Sequence, residues 1–379
     1  MDFRLNEDQE AIRRMAHSFA EKEIRPYAAE WDEAEKFPRE ELAPKLVEVG
    51  LWALAVPEEH GGMDVDAVTS CLVTEEMAWG CGGIATSVGG NSLGSYPILI
   101  AGTFEQKDRF LRPLVEKGNM AAFALTEPNA GSDVSSMSTT ARREGDEYVI
   151  NGAKCFITNG GLADIYSVFA TTDRGAGSKG ISAFVVEKGT PGLKVGKKEK
   201  KMGIRASNTT EVIFEDVRVP VENRLGQEGD GFKVAMKTLD ISRPSVAAQA
   251  VGVARAAYET ALNYAKERVQ FGKPIATFQA IQFMLADMAM AIETARLLVL
   301  KAASLKDQKL PYTTESAMCK TYATDMAMKV TTDAVQILGG YGYTREYPVE
   351  KWMRDAKIMQ IYEGTNQIQR LVIANQILR

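Results

Sequence analysis

The chain changes its hydrophobic period twice, and this succession constrains the fold more than any other feature. Apolar residues recur first at helical spacing, then in short runs rich in β-branched and aromatic residues, and then again at helical spacing over long stretches. Helices and strands are therefore predicted in separate parts of the chain. A doubly wound parallel sheet is not expected, because it needs helices and strands in alternation.

The turns between these zones divide the chain of 379 residues into three predicted domains. Residues 1–119 are predicted to form an α-helical domain that begins at a helix cap on Asn6. Residues 120–228 are predicted to form a small β-barrel or sandwich, and residues 229–379 an antiparallel four-helix bundle. The fold class is therefore α+β. The long helices of the third domain are predicted over residues 231–271, 277–305, 313–338 and 348–378.

Composition narrows the classes of function. The net charge of −5 is untypical of a nucleic-acid-binding protein, which usually has a basic face. No apolar run is long enough for a membrane-spanning helix, and residues 1–9 lack the pattern of a signal peptide. A cytoplasmic protein that binds neither nucleic acid nor membrane is therefore expected.

Cysteine and histidine form no pattern typical of a metal site. Two histidines are too few for a His-rich metal centre, and a Ser-His-Asp triad is also not expected. The cysteines form no C-x-x-C pair and are expected to be free thiols in a reducing compartment. These cysteines are Cys71, Cys81, Cys155 and Cys319. Catalysis is therefore expected to depend on carboxylates, thiols, lysines or a cofactor, with no metal.

Several polar segments that contain glycine could bind a ligand, but each also has an ordinary structural explanation. Residues 126–133 (TEPNAGSD) expose hydroxyl and N–H groups that suit a planar cofactor or a phosphate, or they form a simple turn. Arg268 and Lys273 suit a phosphate, or only a helix C-terminus. Gly339 and Gly340 allow close approach of a ligand, or only end a helix. No G-x-G-x-x-G follows a strand, so no nicotinamide site is predicted.

Residues 362–367 (YEGTNQ) form another polar break, between two apolar stretches. Gly364 follows Glu363, so the chain can turn there and the Glu363 N–H can face a ligand. A glutamate is more commonly a solvated surface charge. The segment alone leaves both interpretations open.

Taken together and in this order, the segments resemble the acyl-CoA dehydrogenase family. The resemblance extends over the whole chain, and its motifs are spread over about 240 residues, which makes it specific. The family implies an N-terminal α-helical domain, a middle β-barrel domain and a C-terminal four-helix bundle, with FAD bound between barrel, bundle and a second subunit. The motifs are TEP with AGSD from residue 126, FITNG from 156, ERVQFGKP from 267, AVQILGGYG from 334 and YEGT from 362.

The resemblance also implies roles for individual residues. Glu363 matches the catalytic base of the short- and medium-chain members, and residues 240–247, where other members carry the base, contain no glutamate. Phe156 departs from the tryptophan that many members have there. The residues implied to bind FAD are Phe123, Thr126, Phe156, Thr158, Arg268, Phe271, Gln336, Gly340, Thr365 and Gln367. The residues implied to bind the substrate are Ser132, Asp240, Arg243, Leu93, Tyr362 and Gly364.

The implied reaction is FAD-dependent α,β-dehydrogenation of a short- or medium-chain acyl-CoA, including branched or cyclic acyl groups. Small residues at Ala85, Gly89 and Gly90, with Leu93, are predicted either at the deep end of the acyl pocket or in close helix packing. Electrons are expected to pass to an electron-transferring flavoprotein, and the assembly is expected to be a homotetramer, a dimer of dimers. The alternatives are an enoyl-CoA reductase with the same partner, an acyl-CoA oxidase and an inactive CoA-binding scaffold.

Overall fold

A computed structural model describes residues 4–378 of the chain. The outermost ends of the first and third predicted domains lie outside these described residues. So do the first three residues of segment 1–9, on which the signal-peptide prediction partly depends.

Helices form the first part of the chain. Asn6 caps the first of them as predicted: its side chain accepts from the Gln9 N–H at 2.8 Å, and the Gln9 side chain accepts from the Asn6 N–H at 3.2 Å. The helices are α1 (Glu7–Phe19), α2 (Ala28–Glu33), α3 (Arg39–Glu48), α4 (Ala67–Gly80), α5 (Gly82–Ala101) and α6 (Phe104–Lys117).

Helix α5 has no clear helical signal in the sequence, because its many glycines lower helix propensity. The structure shows why side chains are excluded from one face. A Cβ atom on Gly90 would lie 2.7 Å from Cγ2 of Thr158, and one on Gly94 would lie 2.7 Å from the backbone N of Ala122. Helix α5 therefore packs closely on the β domain, against a side chain at Gly90 and against backbone at Gly94.

The middle of the chain forms one mixed sheet of eight strands, in the order β6-β7-β3-β2-β4-β5-β8, with β1 parallel to β4. Strand β4 is buried along its whole length, so it lies at the centre of this domain. The predicted separation of strands from helices is confirmed. The strands are β1 (Ala121–Ala124), β2 (Thr140–Glu144), β3 (Glu147–Thr158), β4 (Ile165–Thr171), β5 (Ile181–Glu187), β6 (Leu193–Lys198), β7 (Thr209–Pro220) and β8 (Arg224–Leu225).

The last part of the chain is helical again, and the α+β class with the order α, β, α is confirmed. Its helices are α7 (Gly231–Glu267), α8 (Gln279–Asp307), α9 (Thr313–Leu338), α10 (Gly340–Tyr343), α11 (Val349–Met359) and α12 (Asn366–Ile377). A small hairpin of β9 (Val269–Gln270) and β10 (Lys273–Pro274) connects α7 to α8.

Two helix predictions in this region were wrong in length. Helix α7 ends at Glu267 rather than at 271, because residues 269–274 turn back as the hairpin. The helix predicted over 348–378 is in fact α11 and α12, separated by a break at 360–365. The break includes Glu363 and Gly364, whose φ angles of +53° and +91° are incompatible with a continuous right-handed helix.

A buried network of charges joins the N-terminal helices to the C-terminal bundle. Glu75 on α4 accepts hydrogen bonds from Arg255 on α7 at 2.7 Å and from Arg296 on α8 at 2.8 Å. Glu76 accepts from Arg255 and lies 2.8 Å from Nδ1 of His17 on α1. Pairing of this kind offsets much of the free-energy cost of burying charged carboxylates. The network therefore fixes α4 against α7, and both helices line the cavity described below.

Three further features follow from the described residues. All four cysteines are buried free thiols, as predicted. Within residues 4–378, no helix combines the length and the apolar character that crossing a membrane requires. The same residues contain no cluster of three or more His, Cys, Asp or Glu side chains placed to hold a metal ion.

Candidate active site

A cavity of about 900 Å³ lies between the β domain, helices α4, α5 and α7, and the break between α11 and α12. Its volume and its mainly apolar wall with a few converging polar groups are typical of a site for a cofactor or a small molecule. Most of the predicted site residues line it. They are Leu93, Phe123, Thr126, Ser132, Phe156, Thr158, Arg243, Tyr362, Glu363, Gly364 and Thr365.

The break between α11 and α12 presents Glu363 to this cavity. Both Glu363 and Gly364 have left-handed backbone conformations. For a residue such as glutamate this costs about 1–3 kcal/mol, and such strain occurs most often at functional sites. The side-chain amide of Gln369 donates to the carbonyl oxygens of Glu363 and Gly364, each at 3.1 Å. The Gln369 side chain, which is not part of the turn, therefore holds it in place.

The Glu363 carboxylate lies in an environment that favours its neutral form. Burial raises the pKa of Glu363 above its ordinary value of 4.5. A hydrogen bond donated by the Ser242 hydroxyl and the charges of Lys320 and Arg243 oppose this rise without cancelling it. A carboxylate with a raised pKa is a stronger base, so Glu363 suits proton abstraction near neutral pH.

The loop that follows β1 is fixed by a buried ion pair. Lys154 donates to the Glu127 carboxylate at 2.8 Å and to the Leu125 carbonyl at 3.0 Å. Burial alone would raise the pKa of Glu127, but the Lys154 charge and the hydrogen bonds lower it to about 2. The same carboxylate accepts the backbone N–H groups of Ser138 and Thr139. Both ends of the loop are therefore anchored to one carboxylate, and Thr126 holds a fixed place in the cavity wall.

Phe156, near the end of β3, is an aromatic ring on the cavity wall that protein atoms cover only in part. Its φ is +58°, the register of β3 shifts at this point, and 65% of its surface is exposed. Exposed aromatic rings are suited to packing against another flat apolar group. Thr158 lies two residues further and lines the same cavity.

Arg243 contributes an unpaired donor next to the cavity. The residue is 4% exposed, and its Nε has no partner among the described residues. Its Nη1 donates to Asp240 at 2.6 Å, and the second Asp240 oxygen accepts from Thr313 at 2.9 Å. Asp240 does not line the cavity itself, so it contacts Arg243 from outside. A buried N–H without a partner is rare, and one beside a cavity is available to donate to a bound ligand.

The remaining predicted FAD residues lie elsewhere. Arg268 and Gly340 line a second cavity of about 480 Å³ that shares no lining residue with the first. Phe271 is 93% exposed on the hairpin between α7 and α8, with φ of +54°. Gln336 and Gln367 lie on exposed positions of α9 and α12. A single chain therefore does not bring these five residues to the first cavity.

Two residues that support the site were not predicted from the sequence. Lys320 is fully buried and donates to the Gly364 carbonyl, and Gln249 accepts from the Tyr362 hydroxyl. One signal was available for Lys320: it lies at helical spacing from the apolar Ala317 and Ala323 on the buried face of α9. A lysine on such a face is unusual enough to be noted.

Comparison with known proteins covers all three parts of the chain. Residues 6–118, 122–217 and 229–378 match the N-terminal, middle and C-terminal domains of acyl-CoA dehydrogenase, respectively. The chain is 51% identical to the short-chain specific acyl-CoA dehydrogenase of Clostridium acetobutylicum, with 100% of both chains covered. It is 50% identical to the enzyme of the same description from Megasphaera elsdenii, again with 100% of both covered.

Solved structures agree with this result. Butyryl-CoA dehydrogenase from Megasphaera elsdenii superposes with a TM-score of 0.98 at 50% identity over 100% of both chains. The TM-score is also 0.98 for a chain at 52% identity, with 100% of both chains covered. The structure that contains this chain is described as the electron transferring flavoprotein of Acidaminococcus fermentans, in work on flavin-based electron bifurcation. PigA, solved with FAD and proline, gives 0.95 at 32% identity and covers 100% of this chain and 99% of its own. The chain belongs to the acyl-CoA dehydrogenase family.

Proposed function

We propose that this protein oxidises a short-chain acyl-CoA to its α,β-enoyl-CoA with FAD as cofactor and passes the electrons to an electron-transferring flavoprotein. The observation that carries the proposal is the Glu363 carboxylate, which has a raised pKa and lies on the wall of a mainly apolar cavity. The relatives named as short-chain and butyryl-CoA dehydrogenases support a short acyl group.

The residues of the cavity fit a flavin. Phe156 offers an exposed aromatic face, and Thr126 and Thr158 offer hydroxyl and backbone groups beside it. Thr365 caps the N-terminus of α12, where its side chain accepts from the Ile368 N–H. When bound, the flavin supplies the two-electron acceptor for the hydride that leaves the β-carbon.

Glu363 serves as the base for the α-proton of the thioester. The α-proton is weakly acidic, so its removal requires a well-placed base and stabilisation of the developing enolate oxygen. The Glu363 N–H forms no hydrogen bond to another group within residues 4–378, so it is available to donate to the thioester carbonyl. One residue can therefore supply both the base and a donor for the carbonyl. Arg243 and Ser132 are proposed to line the path of the CoA moiety.

A second copy of the chain is proposed to complete the FAD site. Arg268, Phe271, Gln336, Gly340 and Gln367 have the residue types expected to hold a dinucleotide, yet they lie away from the first cavity. If two copies meet at these surfaces, the residues of one can reach the cofactor of the other. This arrangement supports the expected dimer of dimers. The four buried free thiols fit a reducing compartment, and we propose that the protein acts in the cytoplasm.

The reverse reaction, reduction of an enoyl-CoA, is the second candidate. It is favoured by the 52% identity to the chain in the structure described for an electron transferring flavoprotein and electron bifurcation. The same residues would act in both directions, because a group that removes a proton in one direction returns it in the other.

A visible absorption spectrum followed by anaerobic titration with acyl-CoAs tests the proposal. We expect a yellow protein whose flavin absorbance is bleached by butyryl-CoA and less readily by long-chain acyl-CoAs. A yellow protein that butyryl-CoA does not bleach, but whose dithionite-reduced form is reoxidised by crotonyl-CoA, would favour the reductase. A colourless protein that does not take up FAD would contradict both.

A further inference from the structure

Lys320 on α9 is a buried cation to which the reaction described above assigns no role. Its residue is 0% exposed, and its Nζ donates to the Gly364 carbonyl at 2.8 Å and to Oδ1 of Asn366 at 2.9 Å. Both of these acceptors are uncharged. Burial of an ammonium group costs several kcal/mol, which a directly paired carboxylate normally offsets.

Two other buried lysines show the usual solution. Lys154 pairs with Glu127 at 2.8 Å, and Lys351 pairs with Asp355 at 2.6 Å. Lys320 has no such ion pair within the described residues. Its Nζ instead donates to the turn that carries Glu363. The contact with this turn therefore explains the buried position of Lys320 better than a contribution to the stability of α9 does.

The acceptors of Lys320 are themselves fixed. The side-chain amide of Asn366 donates to Oγ1 of Thr324 at 2.9 Å and to Oδ1 of Asp325 at 2.7 Å, both on α9. The Gly364 carbonyl accepts a second bond from Gln369 at 3.1 Å. Helix α9 therefore holds the start of α12 and the turn before it through one connected set of hydrogen bonds.

We propose that Lys320 is a positioning residue for the dehydrogenation, which holds the turn 363–365 so that the Glu363 carboxylate and Thr365 keep fixed places in the cavity. The inference rests on the proposed function. The left-handed φ of Glu363 stores strain, whereas Gly364 adopts its positive φ freely, so the turn would relax at Glu363 if the bonds to its carbonyls were lost. A displacement of about 1 Å at a reacting group can lower the rate about 10²-fold.

At pH values below its own pKa, Lys320 also acts on Glu363 through its charge. The groups that face Lys320 are Glu363, Arg243 on α7 and Asp325 on α9, and burial lowers the pKa of Lys320 to about 7. Glu363 in turn faces Lys320, Arg243 and Ser242, and it acts on the hydroxyls of Tyr96 and Tyr362. A cation near a carboxylate stabilises its charged form. Loss of the Lys320 charge should therefore raise the pKa of Glu363 further. The acid limb of the pH–rate profile should then move to higher pH.

The test compares Lys320→Met and Lys320→Arg with Lys351→Met, a control that also removes a buried lysine but does not touch the turn. With butyryl-CoA as substrate, we expect Lys320→Met to lower kcat about 10- to 100-fold. We expect its affinity for a CoA thioether that cannot be oxidised, measured by calorimetry, to stay within about threefold of wild type, since Lys320 does not line the cavity. The acid limb of kcat/KM should move to higher pH in Lys320→Met and return towards wild type in Lys320→Arg. Lys351→Met should lower thermal stability and leave the limb in place.

Each outcome decides the inference. A wild-type kcat and an unmoved acid limb in Lys320→Met would overturn it. An equal movement of the acid limb in Lys351→Met would also overturn it, because it would indicate a purely structural effect of losing a buried lysine. If Lys320→Met does not fold, Lys320→Gln keeps a donor for the Gly364 carbonyl without the charge, and an unmoved acid limb there would overturn the inference. A wild-type protein that butyryl-CoA and crotonyl-CoA both leave unchanged would reject the proposed function instead.

Discussion

At the residue scale, three of the residues predicted to act as base or to contact FAD have left-handed backbone conformations. Phe156, Phe271 and Glu363 all have φ between +53° and +58°, which is uncommon for residues with a Cβ atom. Sequence motifs indicated all three residues before their conformations were known. Two of them, Phe156 and Glu363, line the same cavity. Side chains held in strained conformations by their surroundings are preorganised, which is what a base and a cofactor contact require.

The sequence predicted these residues through short motifs, but not the groups behind them. Glu363 is recognisable because a glycine follows it in a polar break. Gln369 is not, because a glutamine in a helix is usually on the surface, and only the fold shows that it is buried. For Lys320 the sequence offers only its helical spacing from Ala317 and Ala323. Ser242 lies within residues 240–247, which the sequence analysis describes only as lacking a glutamate, whereas the structure shows its hydroxyl bonded to Glu363.

Replacing Ser242 with alanine should change the pH dependence of the reaction. The Ser242 hydroxyl stabilises the charged Glu363 carboxylate, so its loss raises a pKa that burial has already raised above 4.5. Glu363 must be deprotonated to act as base, so the acid limb of kcat/KM should lie above the ordinary glutamate range in the wild type and higher still in Ser242→Ala. Ser316→Ala, which removes a buried hydroxyl bonded only to the Asp240 carbonyl, is the control. Identical limbs in all three proteins would contradict the assignment.

At the scale of elements, the sequence predicted a helix correctly where helix-breaking residues mark its end. Helix α9 was predicted over the observed residues 313–338, because the glycines at 339 and 340 end it. Helix α5 was missed because its glycines serve packing against the β domain, which no local pattern reveals. The break between α11 and α12 was visible as a polar segment, yet the apolar residues on both sides suggested one helix. For helix α5 and for this break, contacts with other parts of the fold determine the structure, rather than the local sequence.

Replacing Gly364 with alanine tests whether the turn before α12 must keep its conformation. Gly364 has φ of +91°, and a Cβ there would lie 2.6 Å from the Gln369 Nε2 that holds the turn. We expect Gly364→Ala to lower kcat with butyryl-CoA about 10-fold or more, because Gln369 must move away from both carbonyls.

Gly189→Ala is the matched control for this substitution. Gly189 has a similar φ of +85°, but apart from its two chain neighbours no atom of residues 4–378 lies within 4 Å of its Cβ position. The substitution Gly189→Ala should lower the free energy of unfolding by only about 1–2 kcal/mol, measured by denaturant unfolding, and leave kcat unchanged. Equal kcat values for the two variants would show that the turn tolerates a side chain.

At the scale of the whole molecule, one chain contains the cavity that Glu363 lines, while five of the residues predicted to bind FAD lie away from it. The sequence predicted the assembly only through the family resemblance, since contacts between copies leave no period in the sequence. The structure adds a physical reason to expect an assembly. Helix α8 exposes three large apolar side chains on one face, at intervals of seven residues: Phe283, Met290 and Leu297. Phe283 and Met290 are 60% and 61% exposed, an uncommon degree of exposure for large apolar side chains.

The double substitution Phe283→Glu with Met290→Glu should weaken the assembly. Charges on an apolar contact face must be desolvated when the copies meet, so the tetramer should dissociate. Sedimentation should give a mass of four 41.5 kDa chains for the wild type and a lower mass for the variant, with a parallel loss of bound FAD. Val195→Glu, at an exposed apolar position on β6, should keep the wild-type mass. A variant that keeps both its mass and its FAD would show that the copies meet elsewhere.

The central claim is that Glu363 removes the α-proton of a bound acyl-CoA, and one measurement tests it directly. Wild type and Glu363→Gln are mixed anaerobically with butyryl-CoA in a stopped-flow spectrometer, and the bleaching of the flavin absorbance is followed. Both proteins should be yellow, because the amide keeps the shape of the side chain. Bleaching should be about 10²-fold slower or more in Glu363→Gln, the usual effect of losing a general base. Bleaching of the variant at the wild-type rate would contradict the account.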